Sequence, residues 1–120
     1  MKLNLDQPIK DFDGVKNLED VKTPATMKAG EITPAVMQDF TFKNAIEKIL
    51  NGQDEQHILT AEKKTQAFQI GVKIFGKKLK EYDLTTDQVG FLKERIGLFS
   101  SPIVYGRFLE LIGDMKPEAE

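Results

Sequence analysis

The chain has 120 residues, 40% apolar and 30% charged, with a net charge of −2; that suits one globular domain and leaves no general basic field for nucleic acid. With no cysteine and a single histidine, a disulfide framework and thiol chemistry are excluded and a zinc site nearly so. The opening MKLNLDQPIK lacks an apolar signal core, and no run approaches the ~18 apolar residues of a membrane span, so a cytoplasmic protein is expected.

Residues 1–15 read as a β-hairpin. Leu3 and Leu5 alternate with Lys2, Asn4 and Asp6, as a half-buried strand requires. Phe12 alternates with Asp11 and Asp13, but Ile9 falls out of step with it, so a bend or bulge near Lys10 is expected. Pro8 confines the first run to an edge, and Asp13-Gly14 is a tight-turn pair. Residues 16–40 are interrupted by Pro24, Gly30 and Pro34 and show no sustained period; they read as a flexible arm or lid.

Four helix patterns fill residues 41–113. In the first, Phe42, Ala45, Ile46, Ile49 and Leu50 form one stripe, capped by Thr41 or Asp39 and stopped by Asn51-Gly52. The second runs from Thr60 to Phe75, with Ala61, Phe68, Val72 and Phe75 on one side and Ala67, Ile70 and Ile74 beside them. The third opens on a capping-box spacing, Thr85 to Gln88, continues through Val89, Leu92 and Ile96, and closes at Gly97. The fourth opens with Ser101-Pro102 and ends at Gly113. It is apolar over most of its circumference, through Ile103, Val104, Tyr105, Phe108, Leu109, Leu111 and Ile112. Residues 114–120 read as a disordered tail.

Chemistry-bearing strings are few. Asp11-Phe12-Asp13-Gly14 has the DxDG spacing of aspartyl phosphatases, but that reaction needs a buried strand before the first Asp and further carboxylates for a metal. The polar, broken run Asn4–Lys10 supplies neither, and the turn reading prevails. A calcium loop in Asp11, Asp13, Asn17, Glu19 and Asp20 fails because Gly14 comes too early. His57 has no companions for a metal and is expected at the surface, and Lys73, Lys77, Lys78 and Lys80 suit a solvated helix end. Helices three and four, 86–97 and 102–112, have the outline of a helix-turn-helix. The second of them offers only Tyr105 and Arg107 for base edges, with Lys93 and Arg95 for phosphates.

The opening MKLNLDQPIKDFDG, the helix TFKNAIEKILN and the closing LTTDQVGFLKERIGLFSSPIVYGRFLELIGD resemble a group of small proteins encoded by tailed bacteriophages and prophages. The likeness rests on Leu84, Thr85, Asp87, Leu92–Gly97, Pro102, Val104, Gly106, Arg107, Leu109 and Leu111, and the arm lies outside it. The resemblance implies an origin rather than an activity: a phage product in a host bacterial cytoplasm or in a virion.

Together these readings predict an α+β fold, with an N-terminal hairpin and a long arm before a bundle of four short helices. The expected function is that of a non-enzymatic accessory protein acting by protein–protein contact, with another protein or as an oligomer. Ile103, Val104, Tyr105, Arg107, Phe108 and Leu111 are the expected contact residues. The alternative is a small DNA-binding regulator. No cofactor, metal, membrane or small-molecule substrate is expected.

Overall fold

The computed structural model describes residues 1–50 and 58–115, and the chain is α+β. In order come β1 (Lys2–Leu3), β2 (Glu19–Thr23), β3 (Thr26–Lys28), β4 (Glu31–Thr33), β5 (Val36–Asp39), α1 (Phe42–Leu50) and α2 (Ala61–Phe75). β6 (Tyr82–Asp83), α3 (Thr86–Phe99) and α4 (Pro102–Leu111) complete it. The Asn51-Gly52 helix stop, His57 and residues 116–120 lie outside the described residues.

The N-terminal strand does not pair within residues 1–15 as expected. β1 runs antiparallel to β6, with Leu3 opposite Tyr82, and both side chains are buried. Burial of that pair supplies what a short local ribbon lacks. Asn4 then turns the chain: its Oδ1 accepts the Asp6 N–H at 3.1 Å and its carbonyl accepts from Gln7 Nε2 at 3.0 Å. This bend lets Leu5 and Ile9 both enter the core. The Asp13-Gly14 turn is where expected, with Gly14 at φ 73° and its N–H donating to the Asp11 carbonyl at 2.9 Å. It links Lys10 to Asn17, however, and leaves Phe12 78% exposed rather than inward.

Residues 16–40 are not a structureless arm but a β-ribbon. β2 pairs with β5 and β3 with β4, all antiparallel. The ladder breaks where Pro24-Ala25 on one leg stands level with Pro34-Ala35 on the other, between the pairs Thr23–Val36 and Thr26–Thr33; prolines have no N–H to donate. The tip is a two-residue turn, Ala29-Gly30, with φ of 53° and 81°, the signs of a type I′ turn. At its root the ribbon is stitched to the body by Ile9 N–H to Phe40 O (2.9 Å), Leu18 N–H to Ile9 O (2.8 Å) and Phe40 N–H to Leu18 O (2.8 Å). Lys48 adds an ion pair to Asp20 at 2.9 Å.

The helices build the core. In α1 the whole expected stripe is buried. Thr60 caps α2 through the Lys63 N–H, and Thr85 and Gln88 form both bonds of the capping box on α3. Leu5, Ile9, Ile46, Ile74, Leu92 and Phe108 are fully enclosed. Two details differ from expectation, and a third settles which α2 stripe is buried. Helix α3 passes through Gly97 and ends at Phe99: Tyr105 of α4 lies so close that a Cβ on Gly97 would stand 3.3 Å from its Cε1, so the glycine serves the helix crossing rather than a stop. Ser101 occupies the N-cap of α4, but its side chain makes no capping bond. Finally, α2 buries Ala67, Ile70 and Ile74 and leaves Phe68, Val72 and Phe75 exposed.

Candidate functional site

The α4 face expected to make contacts is largely consumed by the fold. Val104 and Phe108 are buried, while Ile103, Tyr105 and Leu111 are partly buried against the core. The Phe108 ring meets that of Phe42 at 6.4 Å between centroids. The bent N-terminal segment, through Leu5 and Ile9, adds to the core that encloses α4.

The residues of the DNA-reading alternative are placed for other work. Arg107 donates from Nε to the Lys10 carbonyl at 3.1 Å, from Nη2 to the Asp11 carbonyl, and from Nη1 to Glu110 at 2.8 Å. It clamps the N-terminal loop onto α4, and its guanidinium has few donors to spare for a base edge. Lys93 lies 2.6 Å from Asp114, whose carboxylate holds the lysine pKa above its usual value. Arg95 is 2% exposed, out of reach of any phosphate. Its guanidinium stacks 4.5 Å from the Phe99 ring centroid, with Nε and Nη2 lacking hydrogen-bond partners.

The carboxylates of the DxDG string support the turn. Asp11 Oδ1 accepts the Phe12 N–H at 2.7 Å, and Asp13 Oδ1 accepts those of Val15 at 2.8 Å and Lys16 at 3.0 Å. The Val15 and then the Lys16 N–H bonds hold the Asp13 carboxyl below the usual carboxylate range. Among the described residues no three carboxylates or histidines gather as a metal site. No helix among them is long and apolar enough to cross a membrane.

Among the described residues, apolar side chains outside the core gather on two surfaces in particular. On the ribbon, Val21 pairs across the strands with Met37 and Met27 with Ile32; all four are exposed, Met27 and Ile32 by 75% and 72%. The second surface is a groove of about 510 Å³ along α2, lined by Leu50, Leu59, Phe68, Gly71, Val72 and Phe75. Lys64 sits on its lining and Gly76 at its end. Lys43 reaches from α1 to within 5.4 Å of the Phe75 and Tyr82 ring centroids and bonds the Tyr82 hydroxyl at 3.1 Å.

No family model, curated protein or solved structure matches the chain.

Both surfaces escaped the sequence reading, though each left a trace. The ribbon's trace is the near-mirrored Thr23-Pro24-Ala25 and Thr33-Pro34-Ala35 about Ala29-Gly30, with Met27 and Ile32 at equal distance from the turn. The groove's trace is that α2 carries two adjoining apolar stripes, one more than a single buried face requires.

Proposed function

We propose that this chain is a non-enzymatic accessory protein of the tailed-phage kind, acting by protein–protein contact in a host bacterial cytoplasm or in a virion. The observation that carries the reading is the exposed ribbon with its two apolar cross-strand pairs, Val21–Met37 and Met27–Ile32. A two-stranded ribbon with no face packed on a core is marginal in water. Its edges and apolar pairs gain most when another chain covers them, by strand addition or by face-to-face packing. The resemblance to small phage proteins gives the setting, and the residues of the DxDG string are occupied as turn formers.

Size-exclusion chromatography with light scattering, run on the parent chain and on Met27→Asp/Ile32→Asp, tests it. Both positions are exposed, so the fold tolerates the change. Concentration-dependent association that the double variant abolishes, with unchanged circular dichroism, is the expected result. Association that the double variant leaves intact refutes a contact role for the ribbon. So does a strict monomer whose ribbon amides exchange as fast as those of an unstructured peptide.

A further inference from the structure

The α2 groove has a chemistry of its own, distinct from that of the ribbon. Phe68 is 72% exposed and Val72 55%, so the groove is shallow and would leave most of a small molecule in water, unlike an ordinary ligand pocket. From Lys64 to Gly76 it follows 12 residues of helix, about 18 Å at ~1.5 Å per residue. That length matches three turns of a second helix laid along it. Phe68, Gly71, Val72 and Phe75 recur at helical spacing, the ridge-and-gap surface into which another helix packs its own apolar row. Gly71 lowers the floor of the groove beside Leu50, whose Cδ1 lies 3.6 Å from where a Cβ would be.

Along α2 and just past its end the charge is mostly basic. Between Ala61 and Lys80 stand six lysines and one acidic residue, Glu62, in a chain whose net charge is −2. Two of those lysines are engaged on the α3 side, Lys63 with Glu94 at 3.5 Å and Lys73 with Gln88 at 3.1 Å. Lys64 on the lining, and Lys77, Lys78 and Lys80 beyond the Gly76 end, have no carboxylate partner among the described residues. Lys43 is likewise free of carboxylates and leans on Phe75. Glu47, four residues after Lys43 on α1, and Glu81, directly after Lys80, are the acidic exceptions. A second copy of this chain is a poor occupant: α2 packed antiparallel on itself about Val72 would bring Lys64 of one copy near Lys78 and Lys80 of the other, and like charges repel.

We infer that the α2 groove docks an amphipathic helix of a partner protein, one whose apolar row seats on Phe68, Val72 and Phe75 and whose flanks are acidic. The inference rests on the reading that the protein works by contact, but it uses a surface separate from the ribbon.

The test is fluorescence anisotropy of the full chain with two labelled 18-residue peptides. Both carry leucine at i, i+3, i+4 and i+7; one has glutamate at the remaining positions and its twin has lysine. The acidic peptide is expected to bind at least about tenfold more tightly than the twin at low salt, with the difference shrinking as salt screens the rim. Phe68→Ser/Val72→Ser removes exposed side chains only and is expected to abolish binding with circular dichroism unchanged. Lys64→Glu/Lys78→Glu is expected to erase the preference between the two peptides. Equal affinity for the twin, no binding of the acidic peptide, or binding that survives the Phe68→Ser/Val72→Ser change overturns the inference. So does a dimer that the same change dissolves, which would make the occupant a second copy. Because the Met27→Asp/Ile32→Asp variant reports on the ribbon independently, failure here leaves the wider contact reading to its own test.

Discussion

Arg95→Met is expected to stabilise the protein. Arg95 is the buried charged side chain of the described core, 2% exposed, and a guanidinium does not shed its proton in a protein. Nε and Nη2 are buried without a hydrogen-bond partner. Each such orphan costs about 1–3 kcal/mol, so the pair costs about 2–6 kcal/mol. Stacking on Phe99 at 4.5 Å returns up to ~2 kcal/mol at a desolvated site. Methionine keeps the apolar stem and removes the charge, so a net gain of about 1–3 kcal/mol is expected, in line with other buried charges replaced by apolar side chains. For a chain of 120 residues, at ~2.1 cal/mol/K of unfolding entropy per residue, each kcal/mol moves Tm by about 4 °C. Urea unfolding followed by circular dichroism should show a higher midpoint at unchanged slope, and thermal scans a rise of about 4–12 °C. Arg95→Lys, which keeps the charge but loses the planar stack, should fall below the parent. A loss of more than ~1 kcal/mol in Arg95→Met, at unchanged slope, would refute the account and make the guanidinium a net support of the fold.

Three other outcomes follow from the same structure. Phe108→Ala should cost about 3–5 kcal/mol because Phe108 is fully buried, whereas Phe68→Ser, at a 72% exposed position, should stay within about 0.5 kcal/mol; chemical denaturation of both tells the core face from the free one. Ala29 holds φ 53° at the ribbon tip, so Ala29→Asn should relieve roughly 1 kcal/mol of strain and slow amide exchange in β3 and β4. The Asp13 carboxyl is held below its ordinary value, so its support of the Asp11–Lys16 turn is complete above the unfolded-state pKa and is lost as pH falls through the lower folded-state value. The Val15 and Lys16 amide shifts should titrate with an inflection below 3.8 and lose it in Asp13→Asn; an inflection at or above 3.8 would contradict the bonds described.

Where one segment decides its own conformation, the sequence was legible. The α1 stripe, the Thr85–Gln88 capping box and the Asp13-Gly14 turn each repeat or close over three or four positions, and all lie where read, though the turn joins different residues. Where a distant partner decides, it was not. Helix α2 carries two adjacent apolar stripes, and periodicity cannot say which turns inward. It is the smaller side chains, Ala67, Ile70 and Ile74, that are buried, and the larger Phe68, Val72 and Phe75 that are exposed. Likewise Leu3 alternates as in any half-buried strand, yet its neighbour across the ladder is Tyr82, a pairing no local pattern announces. The ribbon was hidden for another reason: Pro24 and Pro34 read as breakers singly, and only their opposition across one turn shows that they interrupt the same ladder at the same level. Helix α4, apolar nearly all round, was read as having a face to spare because the cover provided by Leu5 and Ile9 comes from the far end of the chain.

That far-end cover also sets a timetable. Arg107 reaches back 97 positions to the Lys10 carbonyl, and β1 closes on residues 82 and 83. During synthesis at ~5–20 residues per second, the first strand therefore waits some 4–16 s for its partner to emerge, with Leu3 unpaired. The three-way stitch of Ile9, Leu18 and Phe40 is available much sooner, since its members lie within the first third of the chain. It can fasten the ribbon while the helices are still being made. Strand β1 thus leaves the ribosome well before β6, and pairs only after the ribbon root has been fastened.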